Sequence, residues 1–299
     1  MTKGADQNDS ARERSFEVDG LIYAGLEWGK PEAPLALALH GWLDNALSFS
    51  ILGPLLNRCR ILALDLSGHG LSSHRSADAS YQIWDDVPQL ASIIEQLGED
   101  SVTLIGHSRG AAISTLLASV LGDQCHRLVL IDGMLPPEEA NSDAAAQLRR
   151  FVRERTKYRQ RPQRIFDSIE DFIERRARYG FAAENGEFIA PRALRQVNGG
   201  WCLRSDPRLY GASAHKLTAA DRRHIYQQIN APVLGLFGDK GLYERRDASR
   251  VDEPQSIQRL QGELSDCLPD YRSTILSGSH HLHMESCAHE VARHIDDFI

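Results

Sequence analysis

The sequence predicts an α/β fold: a mostly parallel central sheet flanked by helices, with one helical insertion. Three observations carry that expectation. Short, nearly continuous apolar runs recur along the 299 residues, as strands buried on both faces must read. Helix-patterned segments lie between them, the alternation expected of βαβ units. The alternation stops between Gly133 and Asn230 and then resumes, so an insertion separates two parts of one core.

The chain begins with MTKGADQNDSARERS (1–15), polar and without an apolar core, which reads as a disordered leader and not as a signal peptide. Residues 16–132 form the first part of the core. LIYAGLEWG (21–29), LALALH (35–40), RILALDL (60–66), SVTLIGH (101–107) and RLVLID (127–132) read as strands, with helices over 84–97 and 111–121. Residues 133–230 carry charged helical sequence and no convincing buried strand, which predicts a helical cap. Residues 231–299 complete the core, with strands PVLGLFGD (232–239) and YRSTILSG (271–278) and helices over 254–264 and 290–299.

Bulk composition narrows the function classes. A net charge of −7 argues against general affinity for nucleic acid or an anionic membrane surface. No apolar stretch approaches the roughly 18 residues that span a bilayer. Five scattered cysteines (Cys59, Cys125, Cys202, Cys267, Cys287) form no C-x-x-C pair, a pattern that fits reduced thiols in the cytoplasm.

The chemistry concentrates at VTLIGHSRGAA (102–112). A G-x-S-x-G match arises by chance in such a chain with odds of roughly one in ten, so context must decide. Here an apolar run precedes the motif and helix formers follow it. A sharp strand-to-helix turn forces its central residue into a strained conformation, tolerable only among small neighbours. Gly106, Gly110, Ala111 and Ala112 meet that demand around Ser108. A serine nucleophile needs a base from later in the chain. LSGSHHLHME supplies His280 directly after the last strand, with His281 and His283 as rivals. His280 and His283, three apart, could suggest zinc, but no H-E-x-x-H or acidic partner set accompanies them, and no metal or cofactor is expected. An oxyanion needs two donors. The backbone N–H of Arg109 follows the nucleophile, and that of Trp42 lies in the HGWLDN loop after LALALH.

These motifs together resemble an α/β-hydrolase-fold serine hydrolase with a helical cap. HGWLDNALSF, DLSGHGLSSH, GHSRGA, LVLIDG and GSHHLHME fall in that family's order over residues 20–299. HGWLDN and the cap segment GGWCLRSDPRLYG are most similar to the serine hydrolase-like proteins. The resemblance implies Ser108 as nucleophile and His280 as base. It leaves the acid open. The family commonly places it as G-x-x-D after the PVLGLFGD strand, but Gly241 stands at that position and Asp239 two residues earlier. Asp132, ending LVLID, is the favoured acid, with Asp239 the alternative. The expected activity is carboxylesterase-like cleavage of a small to medium acyl ester through an acyl-enzyme. Cleavage of a C–C, lactone or amide bond on the same triad, or ligand binding by an idle triad, are the alternatives. The partner is then a small-molecule ester, with oligomeric state open. Ten cap arginines between Arg149 and Arg178 spread over several helix faces and read mostly as solvated, the alternative being that one or two line the pocket and receive an acidic substrate. Phe181, Trp201 and Tyr210 read as core packing or pocket lining.

Overall fold

The period-two alternation of buried side chains organises the core. In the computed structural model, residues 10–137, 143–178, 181–243 and 257–299 are described, without the side chains of 258–260. Eight strands form one sheet: β1 (Arg12–Val18), β2 (Leu21–Trp28), β3 (Leu35–Leu39), β4 (Arg60–Leu64), β5 (Val102–His107), β6 (Cys125–Ile131), β10 (Val233–Lys240) and β11 (Tyr271–Ser279). Their order is β1-β2-β4-β3-β5-β6-β10-β11. β1, β2 and β4 pair antiparallel, and the rest of the sheet is parallel. β3, β4 and β5 are buried at every residue. Leu35, Leu37, Leu39 and Leu104 point to one face, with Leu90, Ile93 and Ile94 of α2 (Val87–Leu97) and Ile113 and Leu117 of α3 (Arg109–Leu121). Ala36, Ala38 and Ile105 point to the other, with Val291, Ala292 and Ile295 of α9 (Ala288–Phe298). One strand thus feeds both cores, which is why its sequence reads as an unbroken apolar run.

Between β6 and β10 lie α4 (Ala144–Arg159), α5 (Ile169–Arg178), α6 (Ala183–Ala193) and α7 (Ala219–Gln227). A three-stranded antiparallel sheet accompanies them, built of β7 (Ile165–Phe166), β8 (Leu194–Val197) and β9 (Gly200–Leu203). The insertion is therefore mixed and not purely helical. Strands of two to four residues are too short to show a period of two. A second difference concerns the leader assigned to 1–15. Residues 12–15 open β1, while residues 1–9 lie outside the described residues. RERSFEV alternates, with Phe16 and Val18 buried, while Arg14 pairs with the buried Glu27 of β2. Arg12 and Arg14 continue the face of Phe16 and Val18 and reach Glu27 at the end of an edge strand, while Glu13 and Glu17 lie on its exposed face. α8 (Ile257–Cys267) falls in the expected region, but residues 254–256 lie outside the described set. Among the described residues, no helix is long and apolar enough to cross a membrane.

The packing of α3 against the sheet depends on Gly110. A Cβ there would overlap the Leu39 carbonyl and lie 2.7 Å from the His40 oxygen. Gly110→Ala should therefore force α3 off β3 and cost about 3 kcal/mol, the upper end of typical overpacking penalties. The measurement is the urea midpoint at constant slope, and an unchanged midpoint would refute the close approach.

Candidate active site

Ser108, Asp132 and His280 each lie at the carboxyl end of a parallel strand, where open α/β sheets bind ligands. Ser108 sits between β5 and α3 with φ +52°, in the strained region that the small flanking residues were expected to permit. Its N–H donates to the Ile131 carbonyl at 3.1 Å, fixing the turn beside the end of β6. Asp132 is the next residue on that strand, fully buried and itself at φ +40°. His280 directly follows β11. Its Nδ1 lies 2.6 Å from Asp132 Oδ2. A carboxylate accepting from Nδ1–H leaves the lone pair on Nε2, the tautomer a general base needs.

The two candidate acids have different surroundings. Asp132 also accepts from the Gly238 N–H at 3.1 Å and the Leu242 N–H at 2.7 Å. Asp239 is exposed and accepts from the Gly278 N–H at 2.9 Å, tying the end of β10 to the end of β11. Gly241 accounts for the departure from the G-x-x-D pattern. A Cβ at 241 would overlap the Asp132 carboxylate, so the acid position and its glycine neighbour occupy one space.

The HGWLDN loop is held from several sides. His40 Nε2 accepts from the Leu66 N–H at 3.0 Å, and His69 Nε2 from the Leu43 N–H at 3.3 Å. Burial holds both imidazoles below their ordinary pKa, and the neutral rings serve as acceptors. Fully buried Asp65 accepts from the N–H groups of Ala46 and Leu71 and from Nε of cap residue Arg192, at 2.7, 2.8 and 2.7 Å. Trp42 places its backbone in this loop and is 43% exposed, its indole N–H donating to Leu209 of the cap at 3.0 Å. Arg109 opens α3, where N–H groups lack partners within the helix and point at the strand ends. Its guanidinium donates to the Tyr81 carbonyl at 2.9 Å.

The cap is fastened by polar anchors. Asp206 in SDPRLYG accepts from the Tyr81 hydroxyl at 2.8 Å and pairs with Arg208. Burial works to raise its pKa, and the Arg208 hydrogen bond and charge hold it below the carboxylate range. Tyr210 meets the Trp42 ring edge-on at 5.2 Å, and Trp201 packs on the small cap core. One cap arginine is neither solvated nor aimed into a pocket. Arg176 of α5 donates to Asp44 Oδ1 at 2.8 Å and lies 4.2 Å from the Phe181 ring centre. His107, inside the elbow motif, lies 2.9 Å through Nε2 from the His280 carbonyl.

Asp44, Asp65, His69, His107 and Arg176 were not singled out from the sequence. Asp65 and His69 lie in DLSGHGLSSH and Asp44 in HGWLDN, so the motifs contained the signal without its meaning. Their role is to hold loops, which needs spatial partners to recognise.

The chain matches the alpha/beta hydrolase fold family over residues 34–286. It is 28% identical to a serine hydrolase-like protein of Dictyostelium discoideum, across 89% of this chain and 76% of that protein. A crystal structure of a hypothetical protein from Pseudomonas aeruginosa superposes with a TM-score of 0.85 at 34% identity, covering 96% of this chain and 98% of the other. A thioesterase domain from the curacin biosynthetic pathway superposes at 0.78 with 25% identity, covering 96% and 99%. The chain belongs to the alpha/beta hydrolase fold family and is a serine hydrolase.

Proposed function

We propose that this serine hydrolase cleaves a carboxylic ester of a small to medium acyl substrate through an acyl-enzyme on Ser108. The observation that carries the reading is the 2.6 Å contact of His280 Nδ1 with buried Asp132, at the strand ends that also hold Ser108. His280 Nε2 takes the Ser108 proton as Oγ attacks the acyl carbonyl. The backbone N–H groups of Trp42 and Arg109 stabilise the oxyanion. His280 then protonates the leaving alcohol, and water attacks the acyl-enzyme by the same route to release the acid. The elbow serine favours acyl chemistry, because an alkyl-enzyme ester needs a carboxylate nucleophile. The likeness to a thioesterase domain supports the same class. The HGW loop is rigidly held by His40, His69 and Asp65, as a preorganised oxyanion site requires.

The test is active-site labelling. A fluorophosphonate should phosphonylate Ser108 with loss of fluoride, and mass spectrometry should place the adduct on the peptide containing 102–112. In the unlabelled enzyme, a panel of p-nitrophenyl esters of increasing acyl length should show a burst of one nitrophenol per active site. Labelling elsewhere, or no turnover of any ester in the panel, would remove the esterase reading.

A further inference from the structure

We propose that Asp44, His107 and His281 form a binding site for a divalent transition-metal ion of the zinc type, beside the triad and distinct from it. Asp44 Oδ2 lies 3.8 Å from His107 Nδ1 and 3.5 Å from His281 Nε2. All three atoms lie within 4.8 Å of one another, and all three residues are buried. Tetrahedral zinc with N and O ligands at its usual bond lengths sets ligand atoms about 3.3 Å apart. Small movements of two loops therefore complete the geometry.

The tautomer of His107 is the strongest part of the case. Its Nε2 lies 2.9 Å from the His280 carbonyl, and only an N–H can make that hydrogen bond. Nδ1 therefore carries a bare lone pair and makes no hydrogen bond to any described residue. A lone pair thus faces a carboxylate oxygen inside the protein, two acceptors with no donor between them. A metal ion resolves that conflict, and a second-sphere hydrogen bond from the far ring nitrogen to a carbonyl is the usual orientation of a metal-bound histidine. Gly41 leaves room on the same side. A Cβ there would lie 2.9 Å from His107 Nδ1 and 3.1 Å from Asp44 Oδ2.

Charge sets the character of the site. Asp44 Oδ2 faces both histidines, and the Arg176 guanidinium pairs with the same carboxylate. Arg176 engages only Oδ1 and leaves Oδ2 toward the histidines. Binding at Nε2 requires His281 to carry its proton on Nδ1. Imidazole donors favour zinc, copper and nickel over magnesium or calcium. The Arg176 charge opposes any cation, which separates this site from one built to hold a permanent metal. His280 and His283, whose spacing alone could suggest ligands, are not in the set. The fold brings Asp44 from the other loop instead. Because Asp44 belongs to the HGW loop, His281 to the histidine loop and His107 to the end of β5, binding draws the segments that carry Trp42 and His280 toward the elbow, and turnover falls.

The experiment uses the full chain carrying Ser108→Ala, so that binding is read without reference to activity. Zn2+ is titrated against a chromophoric chelator, and Co2+ is followed by its visible ligand-field bands. One ion per chain with tetrahedral Co2+ bands is expected. His281→Gln and His107→Phe should each weaken binding by about tenfold or more. Arg176→Met, which removes an opposing charge and no ligand, should tighten it. Absence of stoichiometric binding overturns the proposal, as does full affinity in His281→Gln or weaker binding in Arg176→Met. The Arg176 variant keeps the test decisive should the His107 variant fail to fold. With Ser108 restored, Zn2+ should inhibit ester turnover over the range in which it binds, and turnover that stays constant through saturation overturns the inhibitory role. A protein that binds zinc yet turns over no ester would sink the esterase reading and leave the metal site standing.

Discussion

Ser108→Ala is expected to lower kcat on a short p-nitrophenyl ester by about a million-fold while leaving the thermal unfolding midpoint nearly unchanged. The size follows from the chemistry. Removing the nucleophile removes the acyl-enzyme route, and only oxyanion stabilisation and substrate positioning remain. The neutral effect on folding follows from the structure. Ser108 is half-buried, and alanine meets the same positive-φ strain as serine at this turn. Members of a triad act as a unit, so His280→Ala should cost a similar factor and the double variant little more. Additive losses in the double variant would mean that the two side chains work in separate steps. Turnover at the original rate in Ser108→Ala would end the proposed mechanism.

Some of this site was legible in the sequence and some was not, for physical reasons. β3, β4 and β5 are buried on both faces, so composition alone marks them. The strained elbow announces itself because Gly106 and Gly110, two residues either side of Ser108, have no room for a Cβ. β1 was not legible as a strand because an edge strand mixes charges with inward apolar residues, and Arg14 reads as tail until Glu27 is seen opposite. The Asp44–Arg176 pair joins residues 132 apart, one in a core loop and one on a cap helix. Nothing local distinguishes Arg176 from Arg175 or Arg178, and only the docking of α5 does. The choice between Asp132 and Asp239 was likewise a question of packing. Both lie at the carboxyl ends of the neighbouring strands β6 and β10, and sequence offers no measure of which faces His280.

That choice yields the second large expected effect. Asp132→Asn should lower kcat by about ten-thousand-fold, whereas Asp239→Asn should change it by no more than a few-fold. Asp132 accepts from three N–H groups, on Gly238, Leu242 and His280, and an amide cannot present oxygen on both sides. With its NH2 toward His280, the amide stabilises the tautomer that has Nδ1 bare and Nε2 protonated, which cannot take the Ser108 proton. With its NH2 in the place of Oδ1, it opposes the buried Gly238 N–H within β10, and the shift that relieves this draws the amide oxygen away from His280. Either outcome removes the base from most molecules. Gly241 permits a sharper test, because its missing side chain points into the Asp132 carboxylate. Gly241→Asp alone should be inactive, since two carboxylates compete for one space. In the Asp132→Gly background that space is free, and glycine also suits the φ of +40° at 132. Adding Gly241→Asp there should restore kcat by at least about tenfold over Asp132→Gly, a gain of about 1.4 kcal/mol in transition-state stabilisation. If instead Asp239→Asn alone abolishes activity and the exchange restores nothing, the acid is Asp239, and the 2.6 Å Asp132–His280 contact is structural.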